Sequence, residues 1–476
     1  MTPRSHVVTQ LHYQQNYQIA ADSAGQLKMA ILVVCIFLLG YAAIALEHPL
    51  HINKAASALL IGVLCWSIYV VNVDSLLPSE SIPSWFRVEM DGQDPSHLSR
   101  SFAIEHQHLI QTGEIASILF FLMGAMTIVE LVDAHEGFAL ITDLIRARDK
   151  RKLMWIIGVT TFCLSAVLDN LTTTIVIVSL LRKLVQDRED RLRFIGLVVI
   201  AANAGGAWTV IGDVTTTMLW IKHKIGTTEV MYKLLLGSIV CLIIPILGIG
   251  WSLKGKLPER MIEKKDLDRE HIKPWQQRLF LGVGLAALLA VPVFKTFTHL
   301  PPYMGMMLSL SCLWVISEFV SHTMDERTRS STGVLAALKR VDFSSVLFFL
   351  GILLAVGSLS AIGILDKTAT WLDGQFRDHH LIAVMIGLVS AVVDNVPLVA
   401  AGIEMYSMPI NDDFWMMLAY CAGTGGSCLI IGSAAGVAAM GMERIDFIWY
   451  LRKIAPWALA GYLSGAIVVY LQIEML

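Results

Sequence analysis

The sequence is poor in charged residues. Only 16% of its 476 residues are Asp, Glu, Lys or Arg, and 55% belong to the apolar set, whereas an ordinary soluble domain is about 25% charged. The formal net charge of −3 provides no basic surface field of the kind that nucleic-acid binding needs. A typical cytosolic enzyme and a nucleic-acid partner are therefore excluded.

Cysteine pairs and enzyme motifs are also lacking. The seven cysteines are scattered through apolar segments without CxxC spacing, which is typical of small buried hydrophobic residues rather than of disulfides or thiolate metal sites. The apolar segments contain no Ser/His, Cys/His or metal-protease spacing. We therefore predict that the protein is not an enzyme and needs no cofactor.

Long apolar runs account for most of the chain. A helix of about 20 residues crosses a bilayer, and runs of this length predict an all-α polytopic membrane protein with about ten transmembrane helices. Residues 1–26 form a polar N-terminal tail without a cleavage signature, so the first span is predicted to be retained. The predicted spans lie near residues 27–46, 55–73, 114–133, 194–221, 232–253, 279–297, 302–321, 343–365, 414–442 and 454–473.

Two further apolar segments, 153–184 and 381–410, carry an Asp-Asn pair at their centre. The pair leaves arms of roughly 14 residues on either side, which are shorter than a full crossing. We interpret both segments as re-entrant helical hairpins. Two full crossings per segment would give the same topology for the rest of the chain, and only the arm length argues against them.

The distribution of basic residues supports this topology. Lys and Arg concentrate in short loops on the cytoplasmic side of membrane proteins. With two re-entrant hairpins, most of the 36 Lys and Arg residues fall on one side, including those of a basic linker at residues 254–278. If each segment crossed once instead, most of them would lie outside. The hairpin topology places both termini on the periplasmic side.

The two Asp-Asn segments belong to a longer internal repeat. The motif SAVLDN at residues 165–170 matches SAVVDN at residues 390–395, and matched glycine-rich motifs follow both. Five predicted crossings separate equivalent points, so the two halves lie in opposite membrane orientations. We interpret residues 27–253 and 279–476 as inverted-topology repeats, an arrangement that places the substrate site of secondary transporters near the membrane midplane.

The spans that follow the hairpins, 194–221 and 414–442, are longer than a crossing requires and are interrupted by glycines. Clustered glycine favours local unwinding, and unwound backbone is tolerated in a membrane only where it is buried in protein or lines a cavity. We therefore predict two broken helices at a binding site. Alternatively, the glycines only permit close helix packing. The matched glycines are Gly205, Gly206 and Gly212 in the first span and Gly425, Gly426 and Gly432 in the second.

Three carboxylates, Asp169, Asp213 and Asp394, are predicted near the middle of the membrane. An ionised carboxylate there costs several kcal/mol unless it meets a cation, a proton or hydrogen-bond donors. Carboxylate, hydroxyl, amide and carbonyl oxygens are hard ligands that suit an alkali cation. We therefore predict a small hard cation as the substrate, with protons competing for the same groups. Asp169 and Asp394 could also cap helices, a role that is compatible with ion binding.

The first repeat is the richer in oxygen ligands and contains the predicted primary cation site. Its predicted members are Asp169, Asn170, Thr172 and Asp213, with backbone carbonyls near Asn203. Glu114 and Glu130 are possible proton relays in the third span. The other predicted site residues are Asp394, Asn395, Ser427 and Ser433 of the second repeat, together with Ser165, Ser390 and Thr209.

The paired hairpin tips and the glycine-rich motifs at 203–206 and 423–426 resemble those of the NhaD-type sodium/proton antiporters of the ion transporter superfamily. The resemblance extends from about Glu114 to the C-terminus. It implies exchange of cytoplasmic Na⁺ or Li⁺ for external H⁺ in a bacterial inner membrane. It also implies a homodimer in which a transport domain moves elevator-fashion against a scaffold, and it makes the three aspartates, Asn395 and their hydroxyl neighbours the transport residues.

A competing function is an anion carrier of the same superfamily, for dicarboxylates or arsenite. Such carriers resemble this chain in architecture but favour Ser-Asn-Thr hairpin tips without an acid. Two aspartates at the midplane would repel a dianion, which disfavours this alternative. A channel has less support, because it would not need two inverted occluding hairpins.

Overall fold

A computed structural model describes residues 27–77, 82–90, 98–142, 145, 147–253, 255–257 and 272–475. The predicted polar tail and most of the predicted basic linker lie outside these described residues. Regular structure in the described residues is helical, apart from one isolated bridge between Asp149 and Lys256. The predicted all-α class is therefore confirmed.

The main helices follow one another with short connections. In chain order they are α1 Leu27–Ala45, α2 Lys54–Val71, α3 Leu98–Ala134, α4 Lys150–Ser165, α5 Asn170–Leu184, α6 Arg188–Ala207, α7 Val214–Ile221, α8 Thr227–Ser252, α9 Pro274–Thr298, α10 Pro302–Ser321, α11 Phe343–Ala361, α12 Ile364–Phe376, α13 His379–Val389, α14 Asn395–Met405, α15 Asp413–Gly425, α16 Ala434–Glu443, α17 Phe447–Lys453 and α18 Ala455–Met475. Shorter helices cover Glu47–Leu50, Val73–Leu76, Ser84–Glu89, Ala139–Thr142, Glu326–Thr332 and Val334–Arg340.

Within the described part of the chain, eight helices are long and apolar enough to cross a membrane: α1, α2, α3, α8, α9, α10, α11 and α18. The other two predicted spans, 194–221 and 414–442, are each divided into two shorter helices. The first becomes α6 and α7, and the second becomes α15 and α16. The eight continuous helices and two divided ones agree with the predicted polytopic architecture. The division into inverted repeats at 27–253 and 279–476 remains a prediction.

Two helices begin well before the apolar run that predicts them. The third span, predicted at 114–133, is part of α3, which starts at Leu98 and includes a π-helical stretch at Phe102–His108. Similarly, α6 starts at Arg188, because the side chain of Asp187 accepts a hydrogen bond from the backbone N–H of Asp190 and caps the helix. Apolar runs therefore mark the membrane-embedded part of a helix rather than its ends.

The described chain divides into two compact units, of which the first combines residues up to 116 with residues 344–370. In this unit α2 packs closely on α11. The indole Nε1 of Trp66 donates to the carbonyl of Leu354 at 2.9 Å, and a Cβ on Gly62 would lie 2.5 Å from the carbonyl oxygen of Gly351. The two helices are thus in backbone contact.

The second unit comprises residues 117–343 and 371–476 and contains both predicted hairpins. The first arm of each hairpin lies along the first half of the following divided helix, since α4 packs on α6 and α13 packs on α15. The second arms cross to the other repeat: α5 packs against α16, and α14 packs against α7. The second hairpin arm of each predicted repeat therefore packs on the divided helix of the other repeat.

Aspartate side chains begin nine of the described helices in the second unit. Each accepts a hydrogen bond from a backbone N–H two or three residues further along, which satisfies one of the free N–H groups of the first helical turn. The N-cap aspartates are Asp149, Asp169, Asp187, Asp213, Asp325, Asp378, Asp394, Asp412 and Asp446. The alternative role predicted for Asp169 and Asp394, helix capping, is therefore observed.

Candidate functional site

Four helix N-termini of the second unit meet at one polar cluster. Asp169 caps α5, Asp213 caps α7, Asp394 caps α14 and Ser433 caps α16. A helix N-terminus carries a partial positive charge from its aligned peptide dipoles. Three of these four N-termini therefore face a carboxylate that belongs to the chain itself.

The centre of the cluster is a chain of side-chain hydrogen bonds that connects the two predicted repeats. The amide Nδ2 of Asn170 donates to Oδ2 of Asp213 at 2.7 Å and to Oδ1 of Asn203 at 3.0 Å. The Nδ2 of Asn203 in turn donates to Oγ of Ser433 at 3.0 Å. All four side chains are buried, so buried hydrogen bonds connect the first hairpin to both divided helices.

Asp213 is the most enclosed carboxylate of the cluster, with 1% of the residue exposed. Its Oδ1 accepts hydrogen bonds from the backbone N–H of Thr215 at 2.8 Å and from the Thr215 hydroxyl at 2.7 Å. Together with Asn170, these donors are all neutral. Asp169 and Asp394 lie within electrostatic reach of Asp213 and carry the same sign of charge.

Asp169 is partly accessible and lies at the tip of the first predicted hairpin. Its Oδ1 accepts from the backbone N–H of Thr172 at 2.8 Å, and its Oδ2 accepts from the Thr172 hydroxyl at 2.6 Å. At the start of α7, Thr215 likewise donates its backbone N–H and its hydroxyl to Asp213, but it lies two residues further along instead of three and both bonds go to Oδ1. Thr215 was not among the predicted site residues, although a threonine two positions after an N-cap aspartate is a signal that could have identified it.

In the second repeat, Asp394 begins α14 and accepts from the backbone N–H of Val396 at 3.5 Å. Asn395 is the first residue of that helix and is buried. The Ser427 hydroxyl donates to the carbonyl of Thr424 at 2.6 Å in the interruption between α15 and α16. The structure thus brings Ser433 into the hydrogen-bonded cluster, whereas the hydroxyl of Ser427 bonds to its own chain segment.

Three further predicted site residues, like Ser427, donate to backbone carbonyls. The Ser165 hydroxyl donates to Ala202 at 2.6 Å, and the equivalent Ser390 hydroxyl donates to Ala422 at 3.2 Å. Each serine therefore connects the first arm of a hairpin to the divided helix beside it. Thr209 donates to the carbonyl of Ala166 at 2.6 Å and accepts from the backbone N–H of Gly212.

The matched glycines lie where two backbones touch. A Cβ on Gly205 would lie 2.3 Å from the carbonyl oxygen of Phe162, and one on Gly425 would lie 2.0 Å from that of Gly387. The divided helices nevertheless end at these points, with α6 ending at Ala207 and α15 at Gly425. Close packing and helix interruption therefore occur together, so the two interpretations of the glycines do not exclude each other.

Comparison with known proteins gives consistent matches over most of the chain. A protein-family profile described as "Citrate transporter" matches residues 41–407. The chain is 47% identical to "Sodium/proton antiporter 1" of Arabidopsis thaliana, over 94% of this chain and 73% of that protein. It is 43% identical to "Sodium/proton antiporter 2" of the same plant, over 92% and 98%. It is 30% identical to "Na(+)/H(+) antiporter NhaD" of Vibrio cholerae, over 91% and 89%.

The chain belongs to the NhaD-type antiporter family. Members of a transporter family move solutes rather than convert them, so this NhaD-type chain is a secondary transporter and not an enzyme. The eight continuous apolar helices among its described residues, together with these relatives, make it a multi-pass membrane protein. Within the described residues, no three His, Cys, Asp or Glu side chains come together as they would around a resident transition metal.

The two acids proposed as proton relays in this NhaD-type chain lie on the same helix, α3, but in different units. Glu114 belongs to the first unit and Glu130 to the second. Glu130 is half-buried and lies within electrostatic reach of Asp169, Asp133 and Arg340. Glu130 is therefore close enough to Asp169 for their charges to interact.

Proposed function

We propose that the protein exchanges Na⁺ or Li⁺ for H⁺ by competition at Asp169 and Asp213. The observation that carries this proposal is the buried carboxylate of Asp213, whose hydrogen-bond donors are neutral and whose charged neighbours in the cluster are acids. A buried carboxylate without a counter-charge costs several kcal/mol in a membrane. A proton or a metal cation offsets that cost, and either one excludes the other.

The proposed cation ligands are oxygens of Asp169, Asn170, Thr172 and Asp213. The Nδ2 of Asn170 now donates to Asn203 and Asp213. If both bonds break and the side-chain amide turns over, its oxygen faces the site and can bind a cation. Asp394, Asn395, Ser427 and Ser433 would complete the site from the second repeat. Movement of the hairpins relative to the rest of the chain would expose the site to each side in turn, in a homodimer of the elevator type.

An anion carrier would use the same fold differently. A dicarboxylate such as citrate or succinate would bind with its carboxylates at helix N-termini. Here the caps of α5, α7 and α14 are occupied by Asp169, Asp213 and Asp394. These side chains compensate the helix dipoles and repel an incoming anion, so the cluster favours a cation.

We infer the orientation from the basic residues. The termini of α4, α5 and α6 that carry Lys150, Arg182 and Arg188 would face the cytoplasm, and both chain termini would face the opposite side. In a bacterial inner membrane that side is the periplasm. A reporter enzyme that is active only in the periplasm, fused to the C-terminus after Leu476, tests this; activity of a cytoplasm-specific reporter at the same position would reverse the topology.

Transport is tested in proteoliposomes that contain the purified protein and an internal pH dye. An imposed proton gradient is challenged with Na⁺, Li⁺, K⁺, succinate or citrate in turn. Asp169→Asn and Asp213→Asn keep the capping geometry, since Asn is also a good N-cap, but remove the charge. The matched control is Asp446→Asn, which makes the same change at the exposed N-cap of α17.

We expect Na⁺ and Li⁺ to dissipate the gradient with the unmodified protein and with the control. Loss of a charged ligand from a buried site is worth about 3 kcal/mol or more, so Asp169→Asn and Asp213→Asn should each lower the rate by at least about 100-fold. Unchanged Na⁺ responses in both variants would contradict the proposed site. A response to citrate or succinate in place of Na⁺ would support the anion carrier instead.

A further inference from the structure

A groove of about 370 Å³ lies between α4 and α8, away from the polar cluster. It is lined by Arg151, Met154 and Trp155 of α4 and by Ile246, Leu247, Gly250 and Trp251 of α8. The groove lies near the first turns of α4 and the last turns of α8. These helix ends belong to the side of the protein that carries the basic residues around 148–152.

The walls of the groove are apolar and outward-facing. Trp251 is 76% exposed, Leu247 is 57% exposed and Trp155 is 40% exposed. In a transmembrane segment such side chains contact lipid, and tryptophan is enriched at the depth of the lipid headgroups. The two tryptophans therefore place the groove at the boundary between acyl chains and headgroups.

The rim of the groove carries positive charge. The Nε of Arg151 donates to the carbonyl of Leu253 at 3.1 Å, which fixes the guanidinium at the end of α8. In the described structure this is the only hydrogen bond found for the Arg151 side chain, so its terminal nitrogens are available to a ligand. The neighbouring Lys152 is exposed. A phosphodiester is the anion that a guanidinium at the membrane surface binds well.

We propose that this groove is a binding site for an anionic phospholipid of the adjacent leaflet. The phosphodiester would bind the terminal nitrogens of Arg151, with Lys152 nearby. One acyl chain would lie against Leu247 and the two tryptophans. Charge complementarity and the exposed apolar walls together favour an anionic lipid. A soluble anion would make no contact with the apolar walls, and an uncharged acyl chain would form no ion pair with Arg151.

Two variants separate the two halves of this site. Arg151→Gln removes the charge from the rim. Gly250→Leu fills the groove, and a Cβ at Gly250 meets no atom within 4 Å, so the added side chain enters empty space rather than the helix packing. The matched control is Lys183→Gln, which removes a positive charge from an exposed residue at the last turn of α5, outside the groove.

The full-length protein is titrated with phosphatidylglycerol or phosphatidylcholine in mild detergent, and bound lipid is counted by native mass spectrometry. We expect phosphatidylglycerol to be retained in preference to phosphatidylcholine. Arg151→Gln should weaken retention by about fivefold or more, given the usual contribution of one basic residue at a membrane surface. Gly250→Leu should weaken retention of the same lipid as well, while Lys183→Gln leaves it unchanged.

Equal retention of the two lipids by the unmodified protein would overturn the proposal. It would also be overturned if neither groove variant differed from the control, or if free inorganic phosphate displaced the lipid at equal concentration. Conversion of a dimer to a monomer by Gly250→Leu would show that a second copy of the chain covers the groove, and this too would contradict a lipid site. These outcomes are independent of which ion the protein transports.

Discussion

Replacing Gly425 by alanine inserts a methyl group where α13 and α15 are in backbone contact. The added Cβ would lie 2.0 Å from the carbonyl oxygen of Gly387 and 2.7 Å from its carbonyl carbon. Contacts under 3.0 Å are essentially never observed for a Cβ. The two helices must therefore separate by about 1 Å, because the atoms that are met belong to backbone and cannot rotate away.

The expected cost follows from this geometry. Forcing an extra methyl group into a packed interior costs about 1–3 kcal/mol, and the upper part of that range applies where the obstacle is backbone. Alanine recovers less than about 1 kcal/mol of helix propensity, since Gly425 is the last residue of α15. We expect a net loss of about 2 kcal/mol in the free energy of unfolding. Gly205→Ala, whose Cβ would meet the carbonyl of Phe162 at 2.3 Å, should lose a similar amount.

The assay is unfolding of the purified protein in detergent, followed by tryptophan fluorescence. The control is Gly441→Ala, because a Cβ there meets nothing within 4 Å and the residue lies within α16. The control should be neutral or more stable than the unmodified protein, whereas both other variants should unfold more readily. Equal free energies of unfolding for Gly425→Ala and Gly441→Ala would show that the backbones of the hairpin arm and the divided helix are not in contact at Gly425.

Three further changes have defined outcomes. Thr215→Val removes one donor from the buried carboxylate of Asp213 and should lower stability by about 1–3 kcal/mol in the same assay; no change would indicate that the hydroxyl bonds elsewhere. Glu443 lies just beyond the second divided span. Burial raises the pKa of its carboxyl, but hydrogen bonds and ion pairs with Arg182 and Arg191 together lower it by more, so the pKa lies below its ordinary value. Glu443→Gln should therefore be destabilising above pH 4.5, and the difference from the unmodified protein should shrink as the pH falls through the lowered pKa; a constant difference would refute this. Burial lowers the pKa of His135 to about 4 despite its bond to the Leu131 carbonyl. The neutral imidazole should therefore contribute to stability above pH 6.5, and about 3 kcal/mol of stability should be lost as the pH falls from 6.5 to 4. His135→Phe should flatten a plot of melting temperature against pH in that interval.

The sequence was sufficient to predict those features that apolar length and repetition control. The interruptions at 208–213 and 426–433 lie at the predicted glycines, because glycine has both a low helix propensity and no Cβ to obstruct a neighbouring backbone. Asp169, Asn170, Thr172 and Asp213 were predicted to form one site, and Asn170 donates a hydrogen bond to Asp213; their role in transport stays a prediction. The hairpin tips and the glycines occur twice at matched positions, and this repetition carries the information without any structure.

Other features depend on contacts that a single sequence does not reveal. Ser165 and Ser390 were predicted as ligands, and in the structure their hydroxyls donate to backbone carbonyls of the adjacent helix. Which carbonyl lies within reach of a serine depends on the packing of the two helices, and the sequence does not show this packing. The bond between Asn203 and Ser433 joins residues that are far apart in the chain. The early start of α3 at Leu98 was missed because its first turns contain polar residues, which an apolar-run criterion excludes.

The first unit has a consequence for the order in which the protein is made. Its N-terminal part is completed by residues 344–370, and the whole of 117–343 is synthesised in between. The bond from Trp66 to Leu354 and the contact of Gly62 with Gly351 cannot form until α11 leaves the ribosome. Until then the face of α2 around Gly62 lacks the helix against which it packs in the finished protein. The bonds and contacts between α2 and α11 therefore form only after nearly half of the chain has been synthesised between the two helices.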